Sequence, residues 1–573
     1  MPTLFCQGEG NTAAIAIGEI EADTAESTNL CMRGDSKREN REVLLVSVFM
    51  GWQSHPTTER SENASGGKSD MNANRNSDES VVPATSVNNE ATEASAESVE
   101  ERDSTKRNAE QSDMLRTQGR DHSISLGLHG VREAARKDSQ LRFTALLHHV
   151  NEDCLRNAFF NLKKAAAVGV DGVTWHDYEQ DLEANIADLH ERVHREAYRA
   201  TPSLRVRIPK PDGRERLLGI ASLEDKIVQQ AVLWVLQSSY EQDFLGFSDA
   251  PEREHSRPGR SQHNALDALS VAITSKRVNW ILDADVEGFF DTIDHDWLLK
   301  FLERRIGDPR ILRLIRKWLT AGVSEDGQWS KTTVGTPQGA VISPLLANVY
   351  LHYVFDLWIE WWRKSRHGNV VIVRYADDFV IGFERLDDAE ACLKDLQIRF
   401  ARFGLKLHES KTRLIEFGKY AAERRDRRGA GRPETFDFLG FTHKCARTRK
   451  TGWFTIHRHS IAKRMRATFQ KIKTDLQKRR HHRLGETGRW LRRVVQGWLN
   501  YHAVPSNSQR LCRFVDEVTR LWFSEIRKRS QRGHRGWTWE RMQRLARLHL
   551  PRPRVTHPYP TQRFRARLKV GAV

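Results

Sequence analysis

Two adjacent carboxylates stand between two apolar runs, and this arrangement constrains the fold more than any other feature of the sequence. Asp377 and Asp378 follow Val370-Val371-Ile372-Val373 and precede Phe379-Val380-Ile381. Runs rich in β-branched residues are typical of strands, and so short a connection is typical of a hairpin turn. The turn holds the two carboxylates together, and a divalent cation with oxygen ligands, such as Mg²⁺, would relieve their repulsion. A solvated Asp-Asp turn is the alternative interpretation of the dipeptide alone.

A second acidic segment supplies the carboxylate that a two-metal site needs from another strand. Residues 279–291 begin as an apolar strand, become acidic, and break at Gly288 before a helix-like segment that starts at His295. Asp283 and Asp285 are two residues apart and share one face of a strand. Periodicity therefore leaves the choice between these two carboxylates open.

Further short motifs accompany the two acidic segments in a fixed order. They are Gly169–Val173, Arg205–Gly213, Leu218–Ile220 with Glu224–Gln229, Arg257–Ser261, Gly335–Gly339 with Ser343–Asn348, Gly404–Leu407 with Lys411-Thr412, and Phe436–Phe441. In this order the motifs resemble those of reverse transcriptases, and specifically those of the bacterial group II intron-encoded reverse transcriptase and maturase family. The match covers most of the chain.

The resemblance implies an α+β fold of the right-hand polymerase type. Fingers and palm with an antiparallel sheet would occupy residues 125–441, and a basic helical thumb with the maturase X domain would occupy residues 442–573. Within the latter, a long basic helix is predicted from Arg458 to Arg480, a shorter amphipathic helix from Arg489 to Tyr501, and further apolar positions from Leu511 to Ile526.

The resemblance also implies the reaction, which is RNA-directed DNA polymerisation. Its partners would be an RNA template, a DNA primer or target, deoxynucleoside triphosphates and a group II intron RNA whose splicing and mobility the protein assists. Two Mg²⁺ ions, which Mn²⁺ could replace, would be the cofactors. The alternatives are a maturase that only assists splicing and a domesticated reverse transcriptase of phage defence.

Three aspartates are the catalytic and metal-binding candidates under this resemblance. Asp285 is the first carboxylate and Asp283 a bystander. Asp285 and Asp377 would hold the two ions, and Asp378 would lie beside them and tune the pair. Phosphoryl transfer leaves a protein mostly positioning and electrostatic work, so the other site residues should be cations and shape readers.

Four of the remaining candidates surround the incoming nucleotide in the family. Lys210 and Arg216 flank a Pro-Asp-Gly turn and would fold over the triphosphate, unless they belong to a solvated hairpin. Phe290 matches the aromatic residue under the deoxyribose, with a core aromatic as the alternative. Gln338 matches the residue that touches the incoming nucleotide and the template-side backbone.

The last two candidate site residues are Gly339 and Lys411. Gly339 would let the backbone approach the substrate closely, where a side chain would block it. Lys411 matches a family lysine near the active site, although a helix-capping lysine is an alternative.

The segment that leads into Arg257 departs from the family, because polar residues 249–256 replace an expected aromatic pair. This departure puts the rigidity of the fingers, and hence efficiency, in doubt.

Positive charge is concentrated in the C-terminal part of the chain. From Thr442 to Val573 the sequence has 34 Lys and Arg against 6 Asp and Glu, a net +28, whereas the whole chain carries +17 and the part before Thr442 therefore −11. Such a field favours phosphate backbones and gives affinity that depends on salt and little on sequence. Aromatic residues among the arginines, such as Trp537, Trp539 and Tyr559, suit stacking on unpaired bases.

The first 120 residues differ in kind from the rest. Ser, Asn, Glu, Thr and Ala dominate residues 54–104, so we expect a disordered arm over residues 1–120.

The six cysteines of the chain have no close pair, which suits a reducing compartment. No membrane segment or secretion signal is found, and no C-terminal endonuclease motif precedes Val573. We therefore expect a cytoplasmic bacterial protein associated with nucleic acid.

Overall fold

The computed structural model describes residues 128–209, 215–249, 261–530 and 536–563. The fold is mixed α+β, with helices surrounding three separate sheets. The predicted arm of residues 1–120, Lys210 and residues 250–256 of the atypical segment lie outside the described residues.

Helices and strands alternate irregularly along the chain. After a helical segment at residues 128–137, the helices before the third sheet are α1 (Glu152–Asn161), α2 (Trp175–Gln180), α3 (Leu182–His194), α4 (Leu223–Asp243), α5 (Gln262–Ser275), α6 (Phe289–Thr292), α7 (His295–Glu303), α8 (Pro309–Thr320), α9 (Ser343–Leu351), α10 (Leu357–Lys364), α11 (Leu386–Arg402) and α12 (Ala421–Arg427). A π-helical turn, His352–Asp356, joins α9 to α10.

The largest sheet has five strands in the order β3 (Ser248–Asp249), β7 (Val370–Tyr375), β8 (Asp378–Phe383), β4 (Trp280–Ala284) and β9 (Arg413–Glu416). The predicted hairpin is confirmed, since β7 and β8 pair antiparallel from Val370↔Phe383 to Tyr375↔Asp378. Only the short β3–β7 contact is parallel.

Both faces of this sheet are buried, which explains why β7 and β8 are mostly apolar and do not alternate with polar positions, although β7 contains Arg374. Ile372, Phe379 and Ile381 contribute to a core shared with α4, α9 and α11. Val373 and Val380 face the opposite way, into a second core that includes residues of α5 and of the third sheet.

A smaller sheet pairs β1 (Ser203–Pro209) with β2 (Glu215–Ile220) and extends through β5 (Val323–Glu325) to β6 (Gln328–Ser330). The hairpin expected around the Pro-Asp-Gly turn is confirmed in its strands, because β1 and β2 pair antiparallel and Ile208 lies opposite Arg216. The third sheet consists of β10 (Phe436–Phe438), β11 (Phe441–Arg447) and β12 (Phe454–Ser460).

The long basic helix predicted from Arg458 to Arg480 is corrected at its start. Arg458 lies in β12, and the helix begins at Ala462. The Arg458 guanidinium is buried because it pairs with Asp267 of α5, with Nη1 2.8 Å from Oδ1. The sequence did not show that Arg458 is buried in a strand, because its partner Asp267 is distant along the chain. Its charge was therefore interpreted as part of the basic helix that follows.

Four helices follow the third sheet: α13 (Ala462–Lys478), α14 (Leu484–His502), α15 (Ser508–Arg527) and α16 (Trp539–His549). They share a third core that includes Ile472, Leu491 and Trp522. The predicted amphipathic helix from Arg489 to Tyr501 is the larger part of α14, and the apolar positions from Leu511 to Ile526 form the buried side of α15.

Residues 556–563, which we call the C-terminal strap, run back from this helical unit to α5. The amides of Thr556 and His557 donate to the Ala503 carbonyl at 3.0 and 3.1 Å. Arg563 Nε then lies 3.1 Å from Oδ2 of Asp267. The strap therefore joins the end of α14 to the helix that covers the five-stranded sheet.

The four cysteines within the described ranges, Cys154, Cys392, Cys445 and Cys512, are all free thiols. Among the described residues, the search for a helix with the length and apolarity needed to cross a bilayer finds none.

Candidate active site

Neighbouring strands of the five-stranded sheet bring the predicted carboxylates together. β4 ends at Ala284, which lies opposite Phe379 of β8. Asp285 follows β4 directly and Asp378 opens β8, so both lie at the same end of paired strands. Asp377 occupies the two-residue turn with Ala376, whose left-handed backbone (φ 54°) closes the hairpin.

The carboxylates repel one another in this position. Burial and the negative charges of Asp377 and Asp285 raise the pKa of Asp378 to about 7, while the positive charge of Arg464 opposes the rise. Burial is the largest of these causes, and the two neighbouring carboxylates add to it. The chemistry of these donors therefore fits a bound cation.

Lys411 is the cation nearest to the first carboxylate. Its Nζ donates to Asp285 Oδ2, and the backbone of the same segment is tied to Asp285 by the His408 amide, 2.8 Å from the Asp285 carbonyl. Lys411 lies in a turn and caps no helix, so the alternative interpretation is wrong. Among the described residues, no three acidic, His or Cys side chains lie close enough together to hold a metal ion as they stand.

Asp283 has a different partner from Asp285. Its carboxylate lies 3.3 Å from Nη2 of Arg413 on β9. Burial raises the pKa of Asp283 to about 6, although the hydrogen bond and charge of Arg413 partly offset the rise. The two aspartates that periodicity could not separate thus differ in their surroundings, and Asp285 is the one beside Lys411 and Asp378.

A fully buried arginine supports the turn, and the sequence analysis missed it. Arg374, on β7, contacts Asp356 through Nε at 2.7 Å and Nη2 at 2.5 Å. It also donates to Asn348 Oδ1 at 3.0 Å, to Ser248 Oγ, and to the Ala376 carbonyl at 2.8 Å. The last bond fixes the residue that precedes Asp377. The only signal in the sequence was a cation inside an apolar run.

The segment 335–339 packs against both the acidic segment and β2. The Thr336 amide donates to the Phe290 carbonyl at 2.8 Å, and the Gln338 carbonyl accepts from the Gly219 amide at 2.7 Å. The Phe290 ring is half-buried and packs edge-on against Phe289, 5.5 Å away. The segment thus joins Phe290 to the β1–β2 hairpin.

Gly339 is needed for a reason that the sequence analysis did not anticipate. Its φ is +112°, and a Cβ atom there would lie 2.8 Å from the Gly219 carbonyl oxygen and 2.9 Å from Leu218 Cδ1. Because β2 already crowds this position, the protein's own packing demands a glycine, whether or not a substrate approaches.

The remaining predicted residues lie on the β1–β2 hairpin. Arg216 is in β2 opposite Ile208, and Lys210 would follow β1 but lies outside the described residues. Of the segment before Arg257, Ser248 and Asp249 form β3, which pairs with Arg374 and Tyr375 of β7.

Two residues of the helical unit reach toward the carboxylates, and the sequence analysis missed both. Arg464 of α13 and Tyr501 of α14 surround Gly440, whose added Cβ would lie 3.7 Å from Arg464 Nη1 and 3.3 Å from Tyr501 Cε1. The Tyr501 hydroxyl donates to the Leu439 carbonyl at 2.7 Å. Burial raises the pKa of Tyr501, with a smaller contribution from Asp378.

Comparison with known proteins agrees with this geometry. The family model described as reverse transcriptase (RNA-dependent DNA polymerase) matches residues 208–443. Protein YkfC of Escherichia coli K12 is 33% identical over 282 residues, 43% of this chain and 72% of that protein. The group II intron-encoded protein LtrA of Lactococcus lactis is 34% identical over 229 residues, 39% of this chain.

The matched share of the relatives varies widely. This chain covers 37% of LtrA and 20% of an uncharacterized 91 kDa protein in the cob intron of Schizosaccharomyces pombe, which is 41% identical over 165 residues. The motif order, the match of the reverse transcriptase model and the length shared with YkfC agree with one another. The chain belongs to the group II intron-encoded reverse transcriptase and maturase family.

Proposed function

We propose that the protein is an RNA-directed DNA polymerase that copies RNA into DNA in the bacterial cytoplasm. The observation that carries the proposal is the convergence of Asp285, Asp377 and Asp378 at one end of paired strands, where burial and then the charges of the other two carboxylates raise the pKa of Asp378 to about 7. A carboxylate cluster of this kind suits the metal-assisted transfer of a nucleotidyl group.

Asp285 and Asp377 would hold two Mg²⁺ ions, with Asp378 beside them. When bound, the ions lower the pKa of the primer 3′-hydroxyl and neutralise charge on the triphosphate. Lys411 pairs with Asp285 and so limits the repulsion within the cluster. Its ammonium would also lie close enough to this carboxylate to contribute positive charge near the phosphates of a bound nucleotide.

The neighbouring residues would shape the nucleotide site. Lys210 and Arg216, at the end of the β1–β2 hairpin, would contact the triphosphate, and Phe290 would lie under the deoxyribose. Gln338 would contact the incoming nucleotide, since its segment bonds to both Phe290 and β2. These roles are mainly positioning and charge stabilisation.

The sheets and helices suit a right-hand polymerase. The β1–β2 hairpin would belong to the fingers, the five-stranded sheet to the palm, and helices α13–α16 to the thumb and X domain. Arg464 and Tyr501 support this arrangement, because they bring the helical unit beside the carboxylates. The net charge of +28 after Phe441 would bind an intron RNA and assist its splicing.

Primer extension on an RNA template tests the polymerase proposal. The intact protein with Mg²⁺ should extend a DNA primer. Asp377→Asn should reduce the extension rate at least about 100-fold, because the neutral amide replaces a carboxylate that would bind the metal ions. Asp283→Asn is the matched control, since it removes a carboxylate from the same sheet that already pairs with Arg413. Its extension rate should stay within about threefold of the wild type, an effect below roughly 1 kcal/mol.

Equal losses in Asp377→Asn and Asp283→Asn would contradict the assignment of the site. A folded wild-type protein that binds intron RNA and accelerates its splicing, yet extends no primer, would overturn the polymerase proposal in favour of a splicing-only maturase.

A further inference from the structure

The two-stranded ribbon of β11 and β12 has one buried and one solvent-facing side. Antiparallel strands place alternate residues on opposite faces. His443 and Arg458 point into the second core and are buried. Lys444, His457 and His459 lie on the other face, where Lys444 is directly opposite His457. This outer face points away from the five-stranded sheet and its carboxylates.

A cavity of about 340 Å³ lies beside the outer face. Its lining comprises Lys444, His459, Ser506, Gln509, Arg510 and Arg513. The loop before α15 is fastened to β12, because Asn507 Oδ1 accepts from the Ser460 amide at 3.1 Å. The first turns of α15 are thereby held against the ribbon, and its arginines converge with Lys444.

The cations of this cavity are not neutralised by neighbouring carboxylates. Among the described residues, Lys444, Arg510 and Arg513 have no carboxylate oxygen within 4.0 Å of their charged nitrogens. Burial and the positive charges of Lys444, His457 and Arg510 lower the pKa of His459. An adjoining cavity of about 370 Å³ continues along α15 and does contain one acid, Asp516.

An exposed tryptophan lies at the tip of the ribbon. The Thr448 amide donates to the Trp453 carbonyl at 2.8 Å, just beyond Arg447 and Phe454, where the strand pairing ends. Trp453 directly precedes β12, which begins at Phe454. Its side chain is 76% exposed, which leaves a large aromatic face open for stacking. Arg449 and Lys450 flank it in the turn.

We propose that the ribbon face, defined as Lys444, Trp453, His457 and His459 with Arg510 and Arg513 of α15, binds a single-stranded nucleic acid. Phosphodiester groups enter the cavity, and one unpaired base stacks on Trp453. Both RNA and DNA strands carry phosphodiester groups and bases that could make these contacts. The inference rests on the proposed function in taking a nucleic acid as the ligand, and it places a contact surface outside the carboxylate site.

Binding of labelled oligonucleotides tests the inference without any polymerase step. Fluorescence anisotropy of the intact protein would be measured with a 20-nucleotide RNA and with DNA of the same sequence, without Mg²⁺, over a series of salt concentrations. The double variant Lys444→Gln/Arg513→Gln removes two phosphate contacts. The magnitude of its salt slope (log K against log salt) should fall by about 1.4, from roughly 0.7 per contact with a single strand.

Trp453→Ala should behave differently from the charge variant. Loss of one stacked base should weaken binding on the order of 10-fold while the salt slope stays unchanged. Lys444→Arg/Arg513→Lys should retain the wild-type slope. The matched control is Lys137→Gln/Lys394→Gln, which removes two exposed charges elsewhere on the surface and should change the slope by less than about 0.3, well under one phosphate contact.

Weaker binding of RNA, of DNA or of both by the ribbon-face variants supports the proposal. The oligonucleotide whose binding is weakened more shows whether the natural ligand is RNA or DNA. Equal slope changes in the control and Lys444→Gln/Arg513→Gln, together with unchanged binding by Trp453→Ala, would overturn the proposal. Asp377→Asn should bind like the wild type, so failure of primer extension with intact binding bears only on the carboxylate site.

Discussion

Arg374 shows how much of a functional turn can depend on one buried side chain. Its guanidinium bonds to Asp356, Asn348, Ser248 and the Ala376 carbonyl, and so joins β3, β7, α9 and the π-helical turn at the residue before Asp377. A buried charge is tolerated only when it is paired and its donors are satisfied. Arg374 is therefore a positioning residue for the carboxylates.

Arg374→Lys should weaken both stability and catalysis. Lysine cannot make the bidentate contact with Asp356, so we expect a loss of about 2–4 kcal/mol in the free energy of unfolding. Primer extension should slow while oligonucleotide affinity stays unchanged, because the turn moves and the basic surfaces do not. The control Arg385→Lys changes an exposed arginine just after β8 and should alter stability by less than about 0.5 kcal/mol. Slowed extension in both variants would contradict the positioning role.

Asp308 provides a pH-dependent prediction away from the site. It begins α8, and its buried carboxylate accepts from the amides of Leu146 and Leu147 at 2.8 and 3.0 Å. Burial alone would raise its pKa, but these bonds and those from Arg310 outweigh it and lower the pKa to about 2. A lowered pKa stabilises the fold above the unfolded value near 4, and this contribution is lost as the pH falls toward 2.

Asp308→Asn should therefore destabilise the protein by about 2 kcal/mol at pH 7, and by about half as much at pH 3. Thermal denaturation midpoints of the variant and wild type at both pH values check this. A gap in midpoint that stays constant between pH 7 and pH 3 would show that the charge of Asp308 is not what matters.

At the residue scale, the sequence predicted what depends on local spacing. The position of Asp378 beside Asp285 follows from a hairpin and a neighbouring strand, and both were visible as apolar runs. The role of Arg374 was not, because its partners Ser248 and Asp356 are 126 and 18 residues away. Resemblance separated Asp285 from Asp283, which strand periodicity could not do.

At the scale of elements, α14 contains three glycines, of which Gly488 and Gly497 have opposite surroundings. A Cβ added at Gly488 would lie 2.5 Å from Cγ of His549 on α16, whereas one at Gly497 would meet nothing within 4 Å. Glycine lowers helix stability by roughly 1 kcal/mol relative to alanine where nothing else requires it. Gly488 thus allows close packing of two helices, and Gly497 has no such role in the described structure.

The two glycines form a matched pair for mutation. Gly497→Ala should raise stability by about 0.5–1 kcal/mol, and Gly488→Ala should lower it by about 1–3 kcal/mol, because α16 must shift to admit the methyl group. Thermal midpoints of the intact protein measure both changes. Stabilisation by Gly488→Ala would mean that α14 and α16 do not pack closely in solution.

The prediction of secondary structure failed in β12, where a buried residue is charged and pairs with a residue far away in the sequence. β12 contains His457, Arg458 and His459, and its charge suggested the start of a helix. Arg458 is nevertheless buried, because Asp267 lies opposite it from 191 residues away. The hairpin β7–β8 was predicted correctly because both of its faces are covered by apolar cores.

At the scale of the whole molecule, Asp267 holds the helical unit to the sheet. Its carboxylate pairs with Arg458 of β12 and Arg563 of the C-terminal strap, and it is itself buried on α5. One acid thus neutralises two arginines from two other parts of the chain. Removing it would leave a buried guanidinium without a partner.

Asp267→Asn should lower stability by about 3–5 kcal/mol, as expected when one partner of a buried ion pair is lost. Arg563→Gln should cost about 1 kcal/mol or less, since Arg458 still neutralises Asp267 and Arg563 is partly exposed. Limited proteolysis and thermal midpoints of the two variants compare them. Equal losses would place the main partner of Asp267 in the strap instead of in β12.

The C-terminal strap also orders events in time. A ribosome releases residues 556–563 after every element that they join, so α5, the five-stranded sheet and α14 are complete before Arg563 reaches Asp267. During synthesis Asp267 has only Arg458 as its counter-ion. The clasp between the helical unit and the sheet therefore closes later than the elements that it joins, and a chain stalled short of residue 556 would carry the carboxylates without the fastening that holds the helical unit beside them.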